Sequence, residues 1–214
     1  MYDLQKNKTE DLIIDVRGNG GGSSESSIYL LRHLLNEPFL YFSRAEYSEK
    51  TEKVAGEYMQ EPIKSGYKGK LYFIIDGVGN STTGHFMSLV KTYNLGTIIG
   101  EELGSNQFCS GGEKRCRLKH SKLEYSVANN THVSTATTLP DEVGILPDHY
   151  ITQSIEQYLA ALDTVKNYTI SLISQQRKWT PASPYHSSYF LEADHTWRKE
   201  LFRIPLNFAS DIIH

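Results

Sequence analysis

Ser81 stands in "IIDGVGNSTTGHFMSLVK" (74–91), where an apolar run ends in a glycine turn and a helical pattern begins. A hydroxyl at such a junction sits at the carboxyl end of a strand, with the following helix amides behind it able to stabilise negative charge. Serine also fills this position as a simple N-cap, and the position alone leaves both readings open. A second stretch, "DVRGNGGG" (15–22), puts glycine at 18, 20, 21 and 22 behind another apolar run. That density means backbone at positive φ or a close approach by another group, and exposed amides in such a loop can hold an anion or a developing oxyanion. A tight turn is the plain alternative. Phosphate binding fits poorly, since neither the Lys-Ser/Thr of a P-loop nor a clean dinucleotide spacing is present.

Other side chains nearby carry weaker signals. His85 follows Ser81 by four residues and shares a face of its helix, so it is either a base or a packing residue. Asp15 and Arg17 flank Val16 on one side of a strand and read as a pair holding the glycine loop. Asp76 and Asn80 read as turn formers, Glu101 and Glu102 as loop caps or substrate contacts, and His132 and His149 as solvent-facing.

These residues need elements to place them. "DLIIDVR" (11–17) reads as a buried strand feeding the glycine loop, and "SSESSIYLLRHLLNEP" as a helix with Ile28, Leu31, Leu34 and Leu35 at helical spacing. The order repeats with strand "KLYFIIDG" (70–77), the turn before Ser81, a helix carrying Phe86, Leu89 and Val90, and a third strand in "LGTIIGEELG" (95–104). Strand–loop–helix units of this kind predict an α/β domain with a parallel sheet and its chemistry at the carboxyl ends of the strands. From 107 to 139 the chain turns polar and Thr/Ser-rich, which reads as exposed strands and a loop. "LPDEVGILPDHY" (139–150) reads as an extended loop. "TQSIEQYLAALDTVKNY" (152–168) predicts an amphipathic helix with Ile155, Leu159 and Leu162 on one face and Thr152 as its cap. The expected organisation is a core domain over 1–168, a linker over 169–186 and the start of a second, truncated module over 187–214.

Composition limits the partners. The 214 residues carry 22 basic and 25 acidic side chains, net charge −3, with no clustered basic face, so nucleic acid is not an expected partner. Mean hydropathy is −0.44 and no apolar run nears the roughly 20 residues of a bilayer helix, so no transmembrane segment is expected. The N-terminus has no signal-peptide pattern, and Met1 lies only ten residues before the first strand, which suggests a core incomplete at that end. Cys109 and Cys116 bracket a turn-rich hexapeptide between segments that can pair as a hairpin, and read as free thiols or as a disulfide closing that loop. No zinc pattern accompanies them, and no cofactor is implied.

Taken together, "DLIIDVRGNGGG" (11–22), the strand, serine and helix over 71–91, "LGTIIGEELG" (95–104) and "GILPDHYIT" (144–152) resemble, in order and approximate spacing, the C-terminal processing (tail-specific) and tricorn-type serine peptidases. The resemblance covers roughly residues 10–165 and implies the crotonase/ClpP-like α/β core of that family. It further implies hydrolysis of a polypeptide substrate through an acyl-enzyme on Ser81, with an oxyanion hole from the amide of Thr82 and one of Gly20, Gly21 or Gly22. Asp141 and Glu142 fall where the tricorn-like branch has its carboxylate. That branch takes its histidine from upstream of the glycine loop, which here would precede Met1, and no lysine stands between Gly100 and Glu113 for the lysine branch. His85 remains the possible base within the chain. Relatives act outside the cytoplasm, so an extracytoplasmic location is expected. A noncatalytic peptide- or ligand-binding domain on the same fold is the alternative, favoured by the missing base and by Gly84 in place of the usual acidic residue.

Overall fold

A computed structural model describes residue 4 and residues 6–47, 55–178, 188–192 and 201–203. Its centre is a parallel sheet. The apolar run after Glu10 forms β1 (Asp11–Asp15), "KLYFII" forms β5 (Lys70–Ile75), and "TIIG" forms β6 (Thr97–Gly100), paired in the order β6-β5-β1. The short β11 (His149–Tyr150) adds on the β6 side, and β12 (Ser188–Glu192) and β13 (Leu201–Arg203) add beyond β1. In register, Ile14 of β1 lies beside Phe73 of β5, and Phe73 beside Ile98 of β6. All of β1 is buried, as the continuous apolar run predicts for a strand covered on both faces.

Alternation along these strands divides the core. Leu12, Ile14, Phe73, Ile75 and Ile98 face α1 (Ser24–Leu34) and α2 (Thr82–Thr92), while Ile13, Tyr72, Ile74 and Ile99 face α4 (Thr164–Lys178). The result is a three-layer α/β arrangement, the fold class the motif order predicts. Helix α1 starts on Ser23, whose hydroxyl accepts from the amide of Glu25, and buries Ile28, Leu31 and Leu34 as expected.

Segment 39–69 carried no expectation and supplies β2 (Phe39–Leu40), β3 (Phe42–Tyr47), a 3-10 turn over Ala55–Glu57 and β4 (Met59–Gln60). Strand β3 joins a second, antiparallel sheet with β7 (Phe108–Gly111) and β10 (Asn130–Ser134), in the order β3-β10-β7. Strands β8 (Lys114–Arg117) and β9 (Glu124–Val127) pair separately as an exposed hairpin. Cys109 and Cys116 therefore lie on strands that pair with β10 and β9, not with each other, and both are free thiols.

The end of the described core departs from the sequence reading. The helix expected over 152–168 is two: α3 (Ile155–Leu159) and α4. Ser154, not Thr152, caps α3, in a capping box with Gln157. The chain breaks at Ala161, at φ 54°, and Asp163 then takes the amide of Lys166 while binding Arg17. Asp163 thus caps the start of α4 locally and anchors it to Arg17 across the fold. Ile155 and Leu159, expected on a core face, are 69% and 78% exposed. Helix α4 continues through 169–178, part of the segment expected to be linker, and Arg177 ties it to Asp11 of β1. Most of the module expected over 187–214 lies outside the described residues; the two strands described there extend the main sheet.

Candidate active site

Two turns meet at the carboxyl ends of β1 and β5. The Asp76 carboxylate, just past β5, accepts the amide of Gly18 at 3.1 and 3.0 Å and those of Val78 and Gly79 at 3.2 Å each. From the other side, the Asn19 carbonyl accepts the Asn80 amide at 3.0 Å and the Thr83 hydroxyl at 3.0 Å. The Asn19 side-chain oxygen takes the Gly21 amide at 2.9 Å, and Thr82 Oγ1 donates to the Gly22 carbonyl at 2.7 Å. Asp76 and Asn19 thus bridge two loops some sixty residues apart, more than the turn-forming role expected of Asp76.

Gly21 packs directly on the serine turn. At φ +93°, a Cβ there would lie 2.7 Å from Ser81 Cβ and 2.8 Å from both Asn80 O and Thr82 N. Only glycine fits, which gives the middle of the triple glycine a steric reason. Since the Gly21 amide is already donated to Asn19, it is the amides of Gly20, Gly22 and Thr82 that have no acceptor among the described residues.

Ser81 occupies the N-cap position of α2, yet its side chain makes no capping hydrogen bond. Its backbone sits at φ 56°, ψ −125°, whereas helix caps such as Ser23 and Ser154 are extended. Positive φ is uncommon for a residue with a Cβ and costs roughly 1–3 kcal/mol. The cap reading of the sequence therefore does not describe this serine. Its hydroxyl instead lies 3.3 Å from Cys109 Sγ, a contact that local sequence could not reveal.

His85, one turn along α2, is 2% exposed and points elsewhere: Nε2 lies 3.3 Å from the His132 carbonyl and the ring is edge-on to Tyr41 and Phe42. Burial pushes its pKa down to about 4, so the ring is neutral at ordinary pH. Asp141 accepts from Gln107 Nε2 at 2.9 Å and, through its carbonyl, from Asn106 at 2.9 Å. Neither Asp141 nor Glu142, both exposed, hydrogen-bonds Ser81 among the described residues. The structure thus brings together Ser81, Thr82, Gly21 and Gly22, and gives Asp141, Glu142 and His85 no hydrogen bond to Ser81 among the described residues. His132 and His149, expected at solvent, are half-buried: one stacks on Phe42 at 5.1 Å, the other meets the Tyr168 hydroxyl at 2.9 Å.

Behind the glycine loop, Arg17 binds Asp15 at 2.6 Å and Asp163 at 2.7 Å, the first being the pair the sequence predicts. Burial disfavours the guanidinium charge, but the two carboxylates outweigh it, and its pKa lies above the ordinary arginine range. Gly84 answers the departure noted in the sequence: a Cβ there would sit 2.5 Å from Asn106 O, leaving no room for an acidic side chain. Glu102 takes the Gly144 amide at 2.7 Å, a loop-capping role.

A parallel α/β sheet thus carries, at the carboxyl ends of its strands, a glycine loop packed on a strained serine turn. Residues 1–151 match the model of peptidase family S41, and the chain belongs to that family. The fold is similar to that of a protein from Parabacteroides merdae (20% identity, TM-score 0.58, 81% of this chain and 55% of that one). It is also similar to mature CPAF (15%, 0.54, 78% and 45%) and the photosystem II D1 C-terminal processing protease (16%, 0.50, 70% and 36%). The chain spans between about a third and just over half of the length of these structures. No curated protein matches it.

Proposed function

We propose that the chain carries the nucleophile and the oxyanion loop of a serine endopeptidase that hydrolyses polypeptides, with Ser81 forming the acyl-enzyme. The observation that carries this reading is the Ser81 backbone, held at positive φ with its hydroxyl unused as a cap. Strain of that kind persists where surrounding structure enforces it, and it lifts the side chain clear of the helix it precedes. In the reaction Ser81 Oγ attacks the scissile carbonyl carbon and its proton passes to a base. The C–N bond then breaks as the amine takes a proton, and water hydrolyses the resulting ester. The amide of Thr82, with that of Gly22 or Gly20, faces the developing oxyanion; loss of one such donor costs roughly 3 kcal/mol of transition-state stabilisation.

Among the described residues no imidazole, amine or carboxylate reaches the Ser81 hydroxyl, so this reading takes the base from a segment outside them, with Glu142 or Asp141 orienting it. The name of the D1 processing protease suggests cleavage near a substrate C-terminus, and the same position is proposed here. A noncatalytic peptide-binding domain is the second reading, favoured by the Ser81 hydroxyl resting on a thiol in place of a base.

A fluorophosphonate probe separates the two. The expected result is covalent labelling of the intact protein, as the cell makes it, at Ser81, abolished in Ser81→Ala. An unlabelled intact protein that still binds extended peptides would establish the second reading instead.

A further inference from the structure

Helix α2 is docked through a polar seam in an otherwise apolar interface. Ser81, His85 and Ser88 follow one another along one helical face, and each meets the antiparallel sheet: Ser81 Oγ at Cys109 Sγ (3.3 Å), His85 Nε2 at the His132 carbonyl (3.3 Å), Ser88 Oγ at Ser134 Oγ (2.8 Å). Cys109 and His132 are themselves directly opposite each other on β7 and β10. Between these contacts, Gly84 lets the helix approach Asn106, three residues before Cys109. The separation of hydroxyl and thiol is therefore set by helix-on-strand packing, anchored on both sides of the contact.

We infer that Cys109 is a positioning residue for Ser81, whose thiol fixes the hydroxyl in one rotamer, aimed at the scissile carbonyl. Its role rests on Ser81 being the nucleophile. Among the described residues the thiol is the sole hydrogen-bond partner of Ser81 Oγ. A serine side chain has three staggered wells, and the thiol contact favours one of them. Either group can donate in this contact, and a thiol is weak in both roles, so it holds the side chain without competing strongly for the hydroxyl proton. As the proton passes to the base and Oγ bonds the carbonyl carbon, the charge appears on the carbonyl oxygen, so the part of the thiol is to hold Oγ aimed at that carbon. Holding the nucleophile in its attacking rotamer raises the maximal rate and leaves probe binding nearly unchanged.

The test is the kinetics of fluorophosphonate labelling of the intact protein, resolved into the maximal rate, kinact, and the half-saturating probe concentration, KI. Cys109→Val fills the space without a donor and is expected to lower kinact roughly three- to tenfold at unchanged KI, the range of one hydrogen bond. Cys109→Ser restores the donor and is expected to return kinact to within about twofold of the parent at a matched melting temperature, while Cys116→Ala changes nothing. Packing alone predicts the opposite order, with valine tolerated on a strand and serine not, so the ranking of the two variants holds even if both are destabilised. A valine variant labelling at the parental rate overturns the role of Cys109 and leaves Ser81 as nucleophile. A parent protein that never labels at Ser81 overturns both.

Discussion

Gly21 and Ser81 are in contact with no space between them for a single methyl group: a Cβ on Gly21 would lie 2.7 Å from Ser81 Cβ and 2.8 Å from Thr82 N. Gly21→Ala would thus lay a methyl over the amide proposed to stabilise the oxyanion, at a backbone φ of +93° that alanine resists. The expected result is a loss of Ser81 labelling of roughly 100-fold or more, with a lower melting temperature. Labelling at the parental rate would mean the Thr82 amide plays no part.

Asp76 joins the two turns by accepting the amides of Gly18, Val78 and Gly79. Asp76→Ala is expected to cost about 1–2 kcal/mol in urea unfolding, since water can reach the exposed Gly18 and Val78 but not the buried Gly79, and to slow Ser81 labelling by more than that stability loss explains. Equal effects on labelling and on stability would reduce Asp76 to an ordinary turn residue.

The acid sensitivity of the fold has an assignable part. His85 in the folded chain has a pKa near 4 against an ordinary value of 6.5, so the unfolded chain takes up its proton first. Stability from this residue is complete above about pH 6.5 and falls as pH drops towards 4, by about 3 kcal/mol in total. Urea unfolding between pH 7 and 4.5 measures the slope, and His85→Phe, an aromatic replacement between Tyr41 and Phe42, is expected to flatten it. An unchanged slope would place the acid sensitivity elsewhere.

Asp163 ties the start of α4 to Arg17 behind the glycine loop. Burial raises its pKa, but the Arg17 hydrogen bonds outweigh this and hold it below the usual carboxylate range. Its contribution is present above the ordinary aspartate pKa and disappears as pH falls through the lower, folded value. Asp163→Ala is expected to cost about 1 kcal/mol at pH 7 and to speed amide exchange at the first turn of α4, because Arg17 keeps Asp15 but the helix loses its anchor. Exchange rates equal to those of the parent would contradict the anchoring.

What the sequence reveals about this molecule follows from how local each determinant is. The runs in β1, β5 and β6, the glycine turn and the helices behind the two turns are legible because apolar periodicity and turn residues act over a few positions. The division of 152–168 into two helices is not, because apolar periodicity runs across the break at Ala161; Asp163 as a cap is a local signal, and only its anchoring to Arg17, 146 residues away, is distant. Nor is the Ser81–Cys109 contact, which depends on the register of β7 against β10 and on the way α2 lies over them. His85 illustrates the same limit. Its spacing puts it on the Ser81 face of the helix, but only the sheet behind shows that the ring is swallowed by Tyr41, Phe42 and the His132 carbonyl.

Helix α2 has no outward side over its first nine residues, since every position from Thr82 to Val90 is buried and exposure resumes only at Lys91. A saturation library would therefore read it as a solid block of intolerance starting directly behind Ser81, without the three-or-four-residue rhythm that surface helices leave in such maps. Between Thr82 and Val90 random drift has nowhere to deposit a charge, so the peptide segment directly behind the proposed nucleophile is expected to be among the slowest parts of the chain to change.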